Sequence, residues 1–313
     1  MDIVLLFPGQ GSQKPGMGKD LAEAFPEARS VFEQADEVLG TSLSRLCFEG
    51  PADELTLTHN AQPALLAHGA ALWAVARERI GPRVRAAAGH SLGEFTAYHA
   101  ASSLALAGAL RIVRRRGELM YETGVRQPGA MAAVLGDVNE PIETLCERAS
   151  REAGLVVPAN YNAPGQIVIS GEIAGVERAM ALAKEAGAKR AMRLNVSGAF
   201  HSPLMQSAEA GLTEILAATE MRDPHFPVYA NVDAEPVTSA TTARERLVRQ
   251  LTSPVRWTEG VQALAREYPD AHFVEMGPGT VLVGLVRKIA PSVKTASCGT
   301  VGEIEQLLGL VTS

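Results

Sequence analysis

The segment Gly89-His90-Ser91-Leu92-Gly93-Glu94 constrains the fold more than any other stretch of this chain. Gly-x-Ser-x-Gly is the spacing of a nucleophile elbow, in which a serine occupies a tight, strained turn between a strand and a helix. Small residues must flank such a serine for the chain to close. The turn also aims the N–H of the following residue, Leu92, and the start of a helix at any negative charge developing beside the hydroxyl. A motif this short also arises by chance in a Gly-rich chain, so an ordinary Gly-Ser turn stays open as the alternative. The flanks favour the elbow. Val84 to Ala88 is short, small and apolar, as a buried parallel strand is, although Arg83 and Arg85 weaken that reading. Leu92 to Ala101 contains no proline and continues as a helix. Ser91 is therefore the first candidate for catalysis.

The rest of the chain fits an α/β architecture. Apolar runs at Ile3 to Phe7, Val84 to Ala88, Val228 to Ala230 and Phe273 to Met276 alternate with helical patterns. Those patterns include Asp20 to Leu39, Ala61 to Ile80, Leu104 to Thr123, Ser207 to Thr219, Ala243 to Leu251 and Thr280 to Ile289. Between Pro128-Gly129 and Gly198 the rhythm changes to strand Met131–Leu135, helix Pro141–Glu152, strand Leu155–Ala159, strand Gln166–Ser170, helix Ala174–Ala186 and strand Arg190–Val196. That is βαββαβ, the ferredoxin-like order, with Asn160 to Gly165 as the loop between the two middle strands. The expected fold is an α/β-hydrolase-like parallel-sheet core, residues 1–125 and 197–313, with an inserted ferredoxin-like subdomain at 126–196. With 313 residues and 46% hydrophobic content the chain can bury a core of that size.

Composition removes several function classes. A net charge of -6 argues against non-specific nucleic-acid binding, which needs a basic surface, and an acidic partner would require a local basic patch. Cys47, Cys146 and Cys298 are widely spaced, odd in number and without Cys-x-x-Cys, which suggests buried free thiols and no zinc site. Ile3 to Phe7 is too short for a signal-peptide core, and no stretch approaches a membrane span. A cytoplasmic monomer is the expectation.

A serine nucleophile needs a base. His90 adjoins Ser91, but a neighbour on a sharp turn usually points elsewhere, so packing or orientation is its better reading. His59, His68, His99, His225 and His272 have no polar constellation around them. His201 lies in Ser197-Gly198-Ala199-Phe200-His201-Ser202-Pro203, where the insertion returns to the main domain, and a crevice between domains is where a substrate would sit. It is either the base or a satisfied structural histidine. Arg111, Arg114, Arg115 and Arg116 stand close together on a helix following the elbow. Consecutive helix positions point about 100° apart, so the last three cannot share one solvated face. An arginine turned inward needs an anionic partner, and its planar fork fits a carboxylate. The opening loop Phe7-Pro8-Gly9-Gln10-Gly11-Ser12-Gln13 is neither GxGxxG nor a P-loop; it is an ordinary βα turn or a backbone donor for an oxyanion.

Taken together these blocks resemble the malonyl-CoA:acyl carrier protein transacylase family of fatty acid synthesis and the acyltransferase domains of polyketide synthases. The resemblance runs over nearly the whole chain, through Phe7 to Gln13, Gln62-Pro63-Ala64-Leu65, Gly89 to Glu94, Arg116-Gly117 with Met120, Gly129 to Val134, Ala159 to Gln166, Phe200-His201, Gln250-Leu251 with Pro254-Val255, and Glu275 to Gly279. It implies a ping-pong transfer from malonyl-CoA to acyl carrier protein with no bound cofactor. By resemblance Ser91 attacks, His201 takes the proton, the amides of Gln10 and Leu92 hold the oxyanion, Arg116 clamps the malonyl carboxylate, and a main-chain carbonyl near Gln250 orients the histidine. Met120 and Phe200 are the implied pocket residues, and Phe200 and Leu92 point to malonyl over methylmalonyl. Lys184, Lys189, Arg190 and Arg193 form a basic stretch in the insertion. Lys189 and Arg190 are its candidates for meeting CoA or the acidic carrier protein, against a simply solvated helix end and strand edge.

Three other functions stay open on the sequence: a trans-acting polyketide synthase acyltransferase, a serine esterase or thioesterase, and a non-catalytic binding module.

Overall fold

A computed structural model describes residues 1–312. Its strands in chain order are β1 (Ile3–Phe7), β2 (Val84–Gly89), β3 (Ala130–Leu135), β4 (Val156–Ala163), β5 (Gln166–Gly171), β6 (Arg190–Arg193), β7 (Val228–Tyr229), β8 (Pro236–Val237), β9 (His272–Met276) and β10 (Lys294–Cys298). They form two separate sheets. One has the order β10-β9-β1-β2-β7-β8 and is parallel except for the last pair. The other, β4-β5-β3-β6, is antiparallel throughout.

β1 runs as an unbroken apolar segment because both faces of a parallel sheet are covered. Ile3, Leu5 and Phe7 enter one core cluster, Val4 and Leu6 the opposite one. The second sheet has its own core: Ala130, Ala132 and Val134 pack against Ile142, Leu145 and Cys146 of the helix Ile142–Glu152 and Val176, Ala179 and Leu182 of the helix Ile173–Glu185. The second sheet joins the rest of the molecule along β4, where Tyr161 N donates to Val255 O at 2.9 Å and Val255 N, in the segment before the helix Trp257–Glu267, donates to Ala159 O at 2.8 Å. All three cysteines are free and buried.

Several expected boundaries move. The pattern over Asp20 to Leu39 is two helices, Lys19–Ala24 and Pro26–Leu39, because Phe25 precedes a proline and is extended at φ -124°, ψ 119°. The six-residue loop at Asn160 to Gly165 shrinks to a turn at Pro164-Gly165, since β4 continues through Ala163 with two register shifts. β6 ends at Arg193, short of the expected Val196. The two-residue β8, the half-polar edge strand β10, and the helices Leu43–Glu49, Ala52–Thr56, Trp257–Glu267 and Val301–Thr312 lay outside the sequence reading.

Candidate active site

Parallel register assembles the site. Phe7 pairs with Gly89 and Ala88 with Tyr229, so the carboxyl ends of β1, β2 and β7 lie side by side and deliver Gln10, Ser91 and Asn231 to one edge. Ligands of open α/β sheets bind at that edge. Ser91 sits at φ 51°, ψ -106° immediately before the helix Leu92–Ala100, a strained conformation for a residue with a side chain. The turn closes only around glycine. A Cβ on Gly89 would stand 1.8 Å from the Gly93 carbonyl carbon, and one on Gly93 would stand 2.0 Å from Phe7 O. Asn231 clamps the bend, its Oδ1 accepting from Ser91 N at 2.7 Å and its Nδ2 donating to Gly89 O at 2.8 Å.

Ser91 Oγ meets His201 Nε2 at 2.8 Å. His201 Nδ1 lies 2.8 Å from the main-chain oxygen of Gln250, an acceptor only, so Nδ1 carries the proton and the Nε2 lone pair faces the hydroxyl. His201 is also held at positive φ, 56°. Burial, followed by the nearby Arg116 charge, lowers its pKa to about 3. The imidazole is therefore neutral and able to accept a proton. An anion that offsets the Arg116 charge would make it more basic.

Arg116 is the arginine that turned inward. It comes from the helix Leu106–Arg126 and is 1% exposed, whereas Arg114 and Arg115 pair with Glu118 near the surface. Its Nη1 donates to Gln62 Oε1 at 2.7 Å; its Nη2 donates to Gln250 Oε1 at 2.8 Å and to Ser91 Oγ at 3.1 Å. Every one of these acceptors is neutral, so a buried guanidinium is left without a carboxylate touching it. Burial lowers its pKa to about 10 while the more distant Glu94 opposes the shift. It stays protonated at neutral pH, ready for an anion. Met120 lies behind this clamp, its Sδ accepting from Gln62 Nε2 at 3.3 Å.

The other expected residues divide. Gln10 has its side chain tied to Thr58 Oγ1 at 3.2 Å, and Thr58 meets Ser197 Oγ at 3.2 Å. Among the described residues, neither Gln10 N nor Leu92 N donates a hydrogen bond, so both amides are available to an oxyanion. Phe200 is buried immediately before His201. His90 turns away and bonds Asn162 Oδ1 on β4 at 2.7 Å. Lys189 and Arg190 are exposed, with Arg190 opposite Leu135 at the outer end of the second sheet. The structure does not bring them into the Ser91 cluster.

Gln62, Asn231 and Glu94 complete the cluster and had no role in the sequence reading. Glu94 was visible as the one acidic or basic residue besides His99 in the helix Leu92–Ala100, and Gln62 as the polar residue just before the apolar run Pro63 to Ala67. Asn231 carries no comparable signal.

The acyl transferase domain family matches residues 4–308. The chain belongs to the acyl transferase family. It is 48% identical over 303 residues to a Bacillus subtilis protein named malonyl CoA-acyl carrier protein transacylase, covering 97% of this chain and 95% of that one. The acyl-carrier-protein S-malonyltransferase of Bartonella henselae superposes with a TM-score of 0.94 at 42% identity, all of both chains being covered. A malonyl-transacylase in complex with its type II polyketide synthase acyl-carrier protein also gives a TM-score of 0.94 at 42% identity, covering 99% of this chain and 100% of that one. In this acyl transferase the serine, histidine and arginine are all present, with Ser91 Oγ in contact with both of the others.

Proposed function

We propose that this acyl transferase moves a malonyl group from malonyl-CoA to the phosphopantetheine thiol of acyl carrier protein through a malonyl-Ser91 ester. One observation carries the reading: Ser91 Oγ stands between the base His201 and the guanidinium of Arg116, at 2.8 and 3.1 Å. In a malonyl ester the free carboxylate lies one methylene beyond the reacting carbonyl, within reach of a guanidinium that touches the attacking oxygen. An esterase for uncharged acyl groups has no use for that cation.

His201 Nε2 takes the Ser91 proton as Oγ attacks the thioester carbon. The amides of Gln10 and Leu92 receive the developing oxyanion. The tetrahedral intermediate expels CoA, which takes the proton from His201. The carrier thiol then enters and the steps reverse, regenerating the free serine. Each half-reaction exchanges one ester for another, so the chemistry requires no cofactor. The Gln250 carbonyl keeps the imidazole in the productive tautomer without supplying a negative charge. Arg116 holds the acyl group in one pose, and Met120 and Phe200 bound its pocket.

The strand order β6-β3-β5-β4 supports a ferredoxin-like description of the insertion, and the elbow after β2 an α/β-hydrolase-like one of the core. The close approach of Gly124 to Ser197 supports boundaries at 126 and 196, where the chain leaves and re-enters the larger sheet's domain. We further propose a monomer working in the cytoplasm. Fatty acid synthesis is the favoured setting; a trans-acting polyketide role uses the same chemistry and differs only in the carrier.

Intact-mass analysis after mixing with malonyl-CoA is expected to show one malonyl group on the Ser91 peptide, discharged by holo acyl carrier protein. Ser91→Ala should lower transfer by several powers of ten, because residues acting as one unit fail together. An adduct that forms equally in Ser91→Ala overturns the assignment. Discharge to water at the same rate with and without carrier thiol would make the protein a hydrolase.

A further inference from the structure

Glu94 is wholly buried one turn beyond the nucleophile, yet no step of the transfer touches it. Its Oε2 accepts from Gln250 Nε2 at 2.7 Å and from Asn231 N at 3.0 Å. Among the described residues its Oε1 has no partner.

The consequence lies in the Gln250 amide. Because the facing oxygen of Glu94 accepts, Gln250 must present its NH2 to it, and that same NH2 reaches Ser91 O at 3.0 Å. The amide oxygen is thereby turned to Arg116 Nη2, at 2.8 Å. A flipped amide would set donor against donor at the guanidinium and acceptor against acceptor at Glu94. Burial pushes the Glu94 pKa up to about 7, but a proton would reside on the unpartnered Oε1 and leave Oε2 an acceptor. The orientation holds in either protonation state.

We infer that Glu94 is a specificity-determining positioning residue: by fixing the Gln250 amide it holds the Arg116 fork where a carboxylated acyl group needs it. This rests on the malonyl-transfer reading. A leucine at position 94 removes the acceptor that Gln250 Nε2 and Asn231 N share, whereas a glutamine can keep its oxygen there with its NH2 on the unpartnered side and so preserves the Gln250 orientation.

The test is single-turnover acylation of Ser91 by saturating malonyl-CoA and by acetyl-CoA, read by intact mass. Glu94→Leu is expected to slow malonylation about tenfold or more and acetylation less than about threefold, because only the former uses the clamp, whereas Glu94→Gln should change neither by more than about threefold. Glu94→Asp, which keeps the charge but withdraws it by a methylene, should lower the same ratio. If Glu94→Leu does not fold, Glu94→Asp and Gln250→Leu, which spares the main-chain carbonyl, carry the test. The double variant Glu94→Leu with Gln250→Leu should lower the ratio no further than Gln250→Leu alone, as expected for residues in one pathway. Equal slowing of both acylations in folded variants, or losses that multiply in the double variant, overturns the inference. Wild-type protein that fails to take malonyl at Ser91 sinks the transfer reading instead.

Discussion

Arg116 and Arg190 belong to opposite regimes of the same molecule. Arg116 is enclosed at the carboxyl edge of the parallel sheet, with acceptors on Gln62, Gln250 and Ser91 fixing both nitrogens of its fork. Arg190 is exposed on β6, the edge strand of the antiparallel sheet, and its neighbour Arg193 makes a surface pair with Glu177 whose side chains are 48% and 58% exposed. In the first region the identity of each group decides what can bind, because a mispaired buried polar atom recovers nothing from water. In the second, charge acts through a screened field, and an exposed ion pair contributes about 0 to 1 kcal/mol. Substitutions should therefore change chemistry in one region and encounter in the other.

Arg116→Ala is the strongest attempt to break that contrast. Leaving a desolvated carboxylate without its partner costs about 2 to 5 kcal/mol, so malonyl transfer should fall roughly thirtyfold to several thousandfold. Acetyl transfer should be spared or improved, since that acyl group has no charge to strand. Arg116→Lys should not rescue, because an ammonium cannot bridge Gln62, Gln250 and substrate with one planar fork. Equal loss for both acyl groups in competition kinetics would make Arg116 a structural residue and remove the contrast.

The two regions were also unequally legible in the sequence. β1 was readable to the residue because its apolar run is bounded by Pro8-Gly9, and the elbow because its glycines admit no side chain. Helix phase, which forbids three adjacent arginines one common face, said that one of them turns inward, and the resemblance singled out Arg116. The Gln250 carbonyl came only through resemblance, since a main-chain acceptor leaves no residue-type signature. Asn231 was hidden for a different reason: β7 is two residues long, and only its pairing with β2 brings the following turn to Ser91. β10 was missed because an edge strand such as Lys294 to Cys298 need not be apolar. Around Asn160 the loop composition misled, because the Asn and Pro residues of β4 lie on a bulged, bent strand.

The pH profile sharpens the contrast within the buried region. The lowered pKa of His201 keeps the base neutral as pH falls below 6.5 and lets it fail only near 3. A histidine of ordinary pKa would be about 3% neutral at pH 5, a roughly thirtyfold loss in kcat/KM for acylation. Here kcat/KM should change by less than about twofold between pH 7 and pH 5. The unfolded chain binds that proton near 6.5, so the same shift removes stability as pH falls through this window, and folding must be followed alongside. Glu94, raised to about 7, titrates in the same range. An inflection near 6.5 that survives in Glu94→Gln belongs to His201 and breaks the account of a desolvated base.

The smallest effect is expected on the exposed side. Reversing Lys189 and Arg190 to Glu removes two cations from the outer end of β6 and touches none of the hydrogen bonds around Ser91. An acidic carrier meeting an acidic enzyme depends on such local positive charge for encounter. KM for carrier protein should rise about three- to tenfold at low ionic strength, the difference shrinking toward physiological salt as the Debye length falls to about 8 Å. Malonylation of Ser91 by malonyl-CoA separates the two partners: unchanged acylation assigns the patch to the carrier, and a matched loss assigns it to the phosphates of CoA. Register keeps the patch away from the reacting atoms: Arg190 lies opposite Leu135, whereas the chain returns to His201 beside Gly129 at the opposite end of β3, a separation that the phosphopantetheine arm of either partner spans and a side chain does not. Unchanged kinetics with both partners at low salt would reduce Lys189 and Arg190 to a solvated strand end, and leave Arg116 as the cation through which this chain reads its substrate.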